Sequence, residues 1–192
     1  SGSTFAIGAT VVTATATDDY GNTSTCPFTV TVVDTTVPTI SCASAPASVE
    51  ATSSAGAVVS WDSSQTTAAD VADSSVDVTY SPASGSTFAI GDTVVTATAT
   101  DNATLTATCT FTVTVTDNTD PTVTCPSAPA SVEATSSSGA PVSYDVATAT
   151  DTGDSSVDIS YSAASGSTFA IGTTTVTVTA TDDTGNTSTC TF

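Results

Sequence analysis

The chain has 192 residues, 19 of them acidic and none Lys, Arg or His, which gives a net charge of −19 at pH 7. That balance excludes whole classes of function: no cation displaces counterions from nucleic acid, an anionic membrane surface repels the chain, and no arginine grips a phosphate or carboxylate. The commonest general bases and the lysine nucleophile are also missing.

The first predicted element is the octapeptide SGSTFAIG, which starts at Ser1 and recurs unchanged at Ser84 and Ser165. In it S-G-S reads as a turn, the Phe (Phe88 in the second copy) as a core plug, and Ile90-Gly91 as the end of the plug and the start of a strand. A repeated binding loop is the rival reading. After the octapeptide, Val12, Ala14 and Ala16 alternate with Thr, the period-two signal of a strand with one buried face. DDYGN at 18–22 supplies Gly and Asn for a hairpin turn, and a second alternating strand runs from Cys26 to Val32.

Shorter strands follow at TISC (39–42), SVEA (48–51), AVVSW (57–61) and VDVTY (76–80). The second octapeptide leads into TVVTATAT (93–100), with Val95, Ala97 and Ala99 inward and Thr96, Thr98 and Thr100 outward. The turn DNATL (101–105) lacks the Gly-Asn pair of the other hairpins, so a different turn geometry is expected there. In CTFTVTVTD (109–117), Cys109, Phe111, Val113 and Val115 share one face. The order then repeats with TVTC (122–125), SVEA (131–134), APVSY (140–144) and VDISY (157–161). Val176, Val178 and Ala180 point inward before the turn DDTGN (182–186).

About seven short strands per period, with no helical period, predict an all-β fold of tandem immunoglobulin-like β-sandwich repeats of about 82 residues. Residues 1–28 and 165–192 are the same part of a repeat, so the chain reads as a window on a longer array. The expected organisation is the C-terminal part of a repeat at 1–34, a complete repeat at 38–118, and a repeat lacking its last strand at 121–192. Ser and Thr make up 75 of the residues, which alone would suit a disordered stalk, but the strand periodicity argues against that. No apolar run is long enough for a membrane helix, and no signal peptide is visible.

The five cysteines are Cys26, Cys42, Cys109, Cys125 and Cys190. Positions on the first and penultimate strands pair Cys42 with Cys109 and Cys125 with Cys190, leaving Cys26 for a cysteine upstream. Each bridge closes a loop of about 65 residues, worth roughly 4 kcal/mol in the loop-entropy model. The alternative pairs Cys26 with Cys42 and Cys109 with Cys125, which links separate cores and leaves Cys190 odd. Zinc is not expected without His or a close Cys pair. Repeated disulfides imply an oxidising, extracellular location.

Together these residues resemble the hyalin repeat, or HYR, domain family. The carrying pattern is D-x-x-x-P-x-(I/V)-x-C, here DTTVPTISC (34–42) and DNTDPTVTC (117–125), followed by SGSTFAIG, TVVTATATD (93–101) and CTFTVTVTD (109–117). The resemblance spans essentially the whole chain. It implies tandem extracellular modules with adhesive roles and no catalytic site. The chain departs from a typical member in lacking every basic residue.

The candidate sites are few. The junctions VDTTVP (33–38) and TDNTDP (116–121) place Asp34, Asp117 and Asp120 between modules, where carboxylates from both sides could hold calcium. Asp101 in the nearby hairpin, or Glu133, could join them, and a solvated acidic linker is the plainer reading. Asn22, Asn102 and Asn186 begin N-glycosylation sequons, although turn chemistry explains the same residues. Trp61, matched by Tyr144, reads as core packing, with a sugar platform as the sharper alternative. Paired carboxylates such as Asp70 with Asp73 or Asp182 with Asp183, adjacent in repeated turns, do not suggest the two groups facing one another across a cleft that a glycosidase requires. The expected function is a non-catalytic structural segment of an extracellular filament or stalk, with neighbouring copies as partners. The alternative is an adhesin that binds a carbohydrate or cell-surface protein. Calcium is the one cofactor considered.

Overall fold

The computed structural model describes residues 2–192 and is built almost wholly of strands. In chain order they are β1 (Gly8–Thr17), β2 (Thr23–Val32), β3 (Thr39–Ser41), β4 (Val49–Glu50), β5 (Ala57–Val59), β6 (Thr67–Ala69), β7 (Asp77–Ser81), β8 (Ser86–Phe88), β9 (Gly91–Thr100) and β10 (Thr106–Thr116). They continue with β11 (Thr122–Thr124), β12 (Ala140–Pro141), β13 (Thr148–Thr150), β14 (Asp158–Tyr161), β15 (Thr168–Phe169), β16 (Thr177–Thr181) and β17 (Thr187–Thr191). A single 3-10 turn spans Ser63–Gln65. The fold class is all-β, as the alternation of Thr with Val and Ala predicts.

The chain forms two compact units. One comprises the chain up to Ala43 with Ser63–Ser81 and Thr96–Thr110; the other comprises Ser44–Asp62, Pro82–Val95 and Phe111–Phe192. The expected repeat at 38–118 therefore contributes segments to both.

In the first unit, β3 pairs antiparallel with β6 from Thr39↔Ala69 to Ser41↔Thr67. The end of β9 pairs with β7, with Val78 opposite Ala99 and Tyr80 opposite Ala97. Ala97 and Ala99 are fully buried, as their inward phase predicts. The β1–β2 ribbon pairs from Gly8↔Val32 to Thr17↔Thr23, and here the expected core face is corrected. Val12 is only half-buried, Ala14 and Ala16 are exposed, and Phe28 is 52 % exposed. The ribbon is a separate two-stranded sheet, and two strands alone cannot cover their own apolar face.

In the second unit, Val95, Phe111, Val113 and Val115 are buried with Val59 and Phe88, and Val176, Val178 and Ala180 are buried farther along. Burying one such Val or Phe stabilises the fold by about 1.5–3 kcal/mol. β4 runs parallel to the end of β10, with Val49 opposite Val115 and Glu50 opposite Thr116. The expected strand at 131–134 does not form. Its counterpart β4 is a strand because β10 pairs with it, and no strand of the described chain pairs with 131–134.

The repeated octapeptide is a structural corner in this unit. Ser84 Oγ accepts the Trp61 N–H at 3.1 Å and donates to the Trp61 carbonyl at 3.4 Å. Ser165 Oγ does the same with Tyr144, at 2.9 and 3.0 Å. The next residue closes the corner in both copies: Gly85 N–H donates to Val59 O and Gly166 N–H to Val142 O. The strand after it then brings Phe88 O against Gly56 and Phe169 O against Gly139. At each glycine a Cβ would sit 1.8 Å from the carbonyl oxygen.

The candidate site: two aspartate clusters

The loops after β6 and β13 begin with the same arrangement. Asp70 Oδ1 accepts the Ala72 N–H at 2.7 Å, and Asp151 Oδ1 accepts those of Gly153 and Asp154 at 2.6 and 3.1 Å. These are Asx turns, in which a carboxylate substitutes for a backbone acceptor. The junction aspartates make the same local bond. Asp34 Oδ1 accepts Thr36 N–H at 3.0 Å and Asp117 Oδ1 accepts Thr119 N–H at 3.1 Å. One oxygen of each carboxylate is thus fixed by its own loop, leaving the other to turn inward.

Carboxylate oxygens converge twice. In the first unit Asp34, Asp70 and Asp73 each place an oxygen within 4.8 Å of the others, and in the second unit Asp117, Asp151 and Asp182 do so. The pairings β3–β6 and β11–β13 set this up, because each carries the loop after the second strand back beside the connector that precedes the first. Asp73 is held by Asn102, whose N–H and Nδ2 donate to its two carboxylate oxygens at 2.8 Å each. Asp117 and Asp182 are only 7 % and 6 % exposed. Gly153 lies against the Asp117 carboxylate, where a Cβ would sit 2.1 Å from Oδ2.

The electrostatics follow from crowding. Burial pushes the Asp117 pKa above its ordinary value, and the charges of Asp151, Asp182 and Glu50 push the same way against the Thr119 N–H bond. Burial works on Asp182 too, but hydrogen bonds from Asn186, Thr184 and Gly185 outweigh it and hold its pKa low.

The structure separates the four aspartates expected at the junctions. Asp34 and Asp117 fall in different clusters, one per unit. Asp120 and Glu133 are exposed and belong to neither. Asp101, 5 % exposed, sits in the first unit and lies outside the Asp34 group, at the position that Asp182 fills one repeat later. Asp70, Asp73, Asp151 and Asp182 were not read as ligands from the sequence. The signal available was the D-x-x-D at 70–73 and 151–154, recurring at the octapeptide's own spacing.

Disulfides join Cys42 to Cys109 and Cys125 to Cys190, and Cys26 is a free, exposed thiol. Trp61 packs edge-on against Phe111 and Phe88, with ring centres 5.2 and 6.1 Å away, and Tyr144 packs against Phe192 and Tyr161. Both Trp61 and Tyr144 are half-buried. Among the sequon asparagines, Asn186 is half-buried and its Nδ2 donates to Asp182, Thr184 and the Asp117 carbonyl. Asn22 and Asn102 are exposed, with Nδ2 on Asp18 and Asp73. Asp182 is buried in its turn while Asp183 is exposed, so that pair does not converge.

The fold and its cystine frame define a β-sandwich module braced by disulfides and used in tandem. The HYR domain family model matches residues 1–32, 33–115 and 116–192, the whole chain, and the chain belongs to that family. HYR domains are extracellular, non-enzymatic modules of the adhesion type. No helix among the described residues is long and apolar enough to cross a membrane.

Proposed function

We propose that the chain is a non-catalytic structural segment of an extracellular filament or stalk, in which successive HYR modules serve as building units and neighbouring copies are the partners. One observation carries this reading. The side chains that define the module are fasteners repeated position for position, from the Ser84–Trp61 and Ser165–Tyr144 corners to the paired disulfides. Near-identical repeats argue against a loop specialised for a receptor in any one module, whereas like units stacked on their neighbours build a regular array. The net charge of −19 keeps isolated copies apart in solution, so assembly would depend on cations or ionic strength.

Negative-stain electron microscopy of the purified chain, at low salt and with added divalent cations, tests the proposal. Filaments or rods with a regular axial period support it. Dispersed particles that bind a glycan array or a cell surface would instead support the adhesin reading.

A further inference from the structure

We propose that Asp34, Asp70 and Asp73 in the first unit, and Asp117, Asp151 and Asp182 in the second, each bind one calcium ion. This inference does not depend on the filament reading.

Three observations converge on it. The first is the meeting of three carboxylates within 4.8 Å in both units, with the Asp34–Asp70 pair matched by Asp117–Asp151 and a different third aspartate in each. The second is a set of buried oxygens with no hydrogen-bond partner: Oδ2 of Asp34 and Asp70 in the first cluster and Oδ2 of Asp151 in the second. In Asp34, Asp70 and Asp151 alike, Oδ1 is satisfied by a loop N–H while Oδ2 is left. A buried carboxylate oxygen without a donor is costly, and a counter-charge removes that cost. The third is that the chain has no Lys, Arg or His to supply one. A bound cation is the remaining source of positive charge.

The ligand chemistry selects the ion. All-oxygen carboxylate sites exclude a soft metal, and the cysteines are either in disulfides or outside the clusters. Magnesium demands a strict octahedron and is usually held by one or two carboxylates with several waters. Calcium accepts three carboxylates in a flexible shell, here from two segments in the first unit and three in the second. Each ion would tie a connector, through Asp34 or Asp117, to loops of the module that follows it.

The test uses the full chain, stripped with a chelator and titrated with calcium chloride by isothermal calorimetry, with melting followed at constant ionic strength. Two ions per chain are expected, with a rise of about 5–10 °C in Tm at 100-fold excess over Kd. Asp70→Asn and Asp151→Asn each retain the Oδ1 acceptor and should each lower the count to one; together they should lower it to zero. Gly153→Ala places a methyl group against the Asp117 carboxylate and should remove the second site while leaving the melt in chelator near that of the parent. Asp158→Asn, on an exposed strand position, should leave two sites. A count unchanged in the double variant, a Tm rise reproduced by sodium chloride at equal ionic strength, or magnesium binding as tight as calcium would overturn the assignment.

Discussion

Gly56→Ala is expected to be among the most damaging single-methyl additions this chain can receive. Gly56 sits at φ +102°, and an added Cβ would lie 1.8 Å from Phe88 O, 2.8 Å from its carbonyl carbon and 2.9 Å from Ala89 Cα. All three are backbone atoms, so relief requires the Phe88 strand to move. Two costs then add. Placing an L-residue at positive φ costs about 1–2 kcal/mol. Displacing Phe88, which is 2 % exposed, sacrifices much of its packing, and complete loss of a buried Phe costs about 3–5 kcal/mol. With the Phe packing wholly lost the sum is about 4–7 kcal/mol, or roughly 8–28 °C in Tm for a chain of this length. Gly91→Ala isolates the first cost, because Gly91 has a similar φ of +106° and nothing within 4 Å of its Cβ position. It should lose only about 1–2 kcal/mol. Gly139→Ala should behave like Gly56→Ala, since its Cβ would meet Phe169 O at the same 1.8 Å. Thermal and urea unfolding of the three variants decide the matter. A Gly56→Ala chain no less stable than Gly91→Ala would show that the close approach of the Phe88 carbonyl does not hold the corner.

The turn at 101–105 keeps the hydrogen bonds of its counterparts, with Asp101 N–H on Leu105 O and Thr104 N–H on Asp101 O. It does so by placing Thr104 at φ +67°, where the other two turns have Gly21 and Gly185. Thr104→Gly should therefore stabilise the chain by about 0.5–1 kcal/mol, after its unfolded-state entropy is counted, and an unchanged or lower melting midpoint would contradict this. Thiol titration of the native chain should find one reactive group, Cys26, and reducing the two bridges should lower stability by several kcal/mol, on the order of 4 per bridge. Asp18 is held below its ordinary pKa by the Asn22 side chain and N–H, then by Tyr20 and Gly21. Its contribution to hairpin stability is thus present above the unfolded carboxylate pKa and fades as pH falls through the lower folded value. Asn22→Ala should raise the Asp18 pKa in an NMR titration, and no movement would refute the coupling.

The long strands were legible because their signal is long. Alternation over 93–100 and 109–115 is enough to assign an inner face, and Val95, Ala97, Val113 and Val115 are buried accordingly. β6 and β13 escaped notice because three residues, TAA and TAT, carry no period, and they become strands only through pairing with β3 and β11. The same pairings hid most of the acidic clusters. Asp70 and Asp151 lie some 35 residues from Asp34 and Asp117 in the sequence, and only the hairpin-like return of β6 and β13 brings them together. Composition shows that the carboxylates have no basic partners; topology shows which of them converge. The expected different geometry of the DNATL turn did not materialise because local hydrogen bonding outweighed the strain at Thr104.

The octapeptide corner has an evolutionary corollary. What it grips, from the main chain at Trp61 or Tyr144 and the amide partners of Gly85 and Gly166 to Gly56 and Gly139 under the Phe carbonyls, lies within about 30 residues upstream. A stretch of gene duplicated in register would deliver both halves of the clasp at once. Length could then change by unequal crossing-over without any new lock having to be matched to an old key.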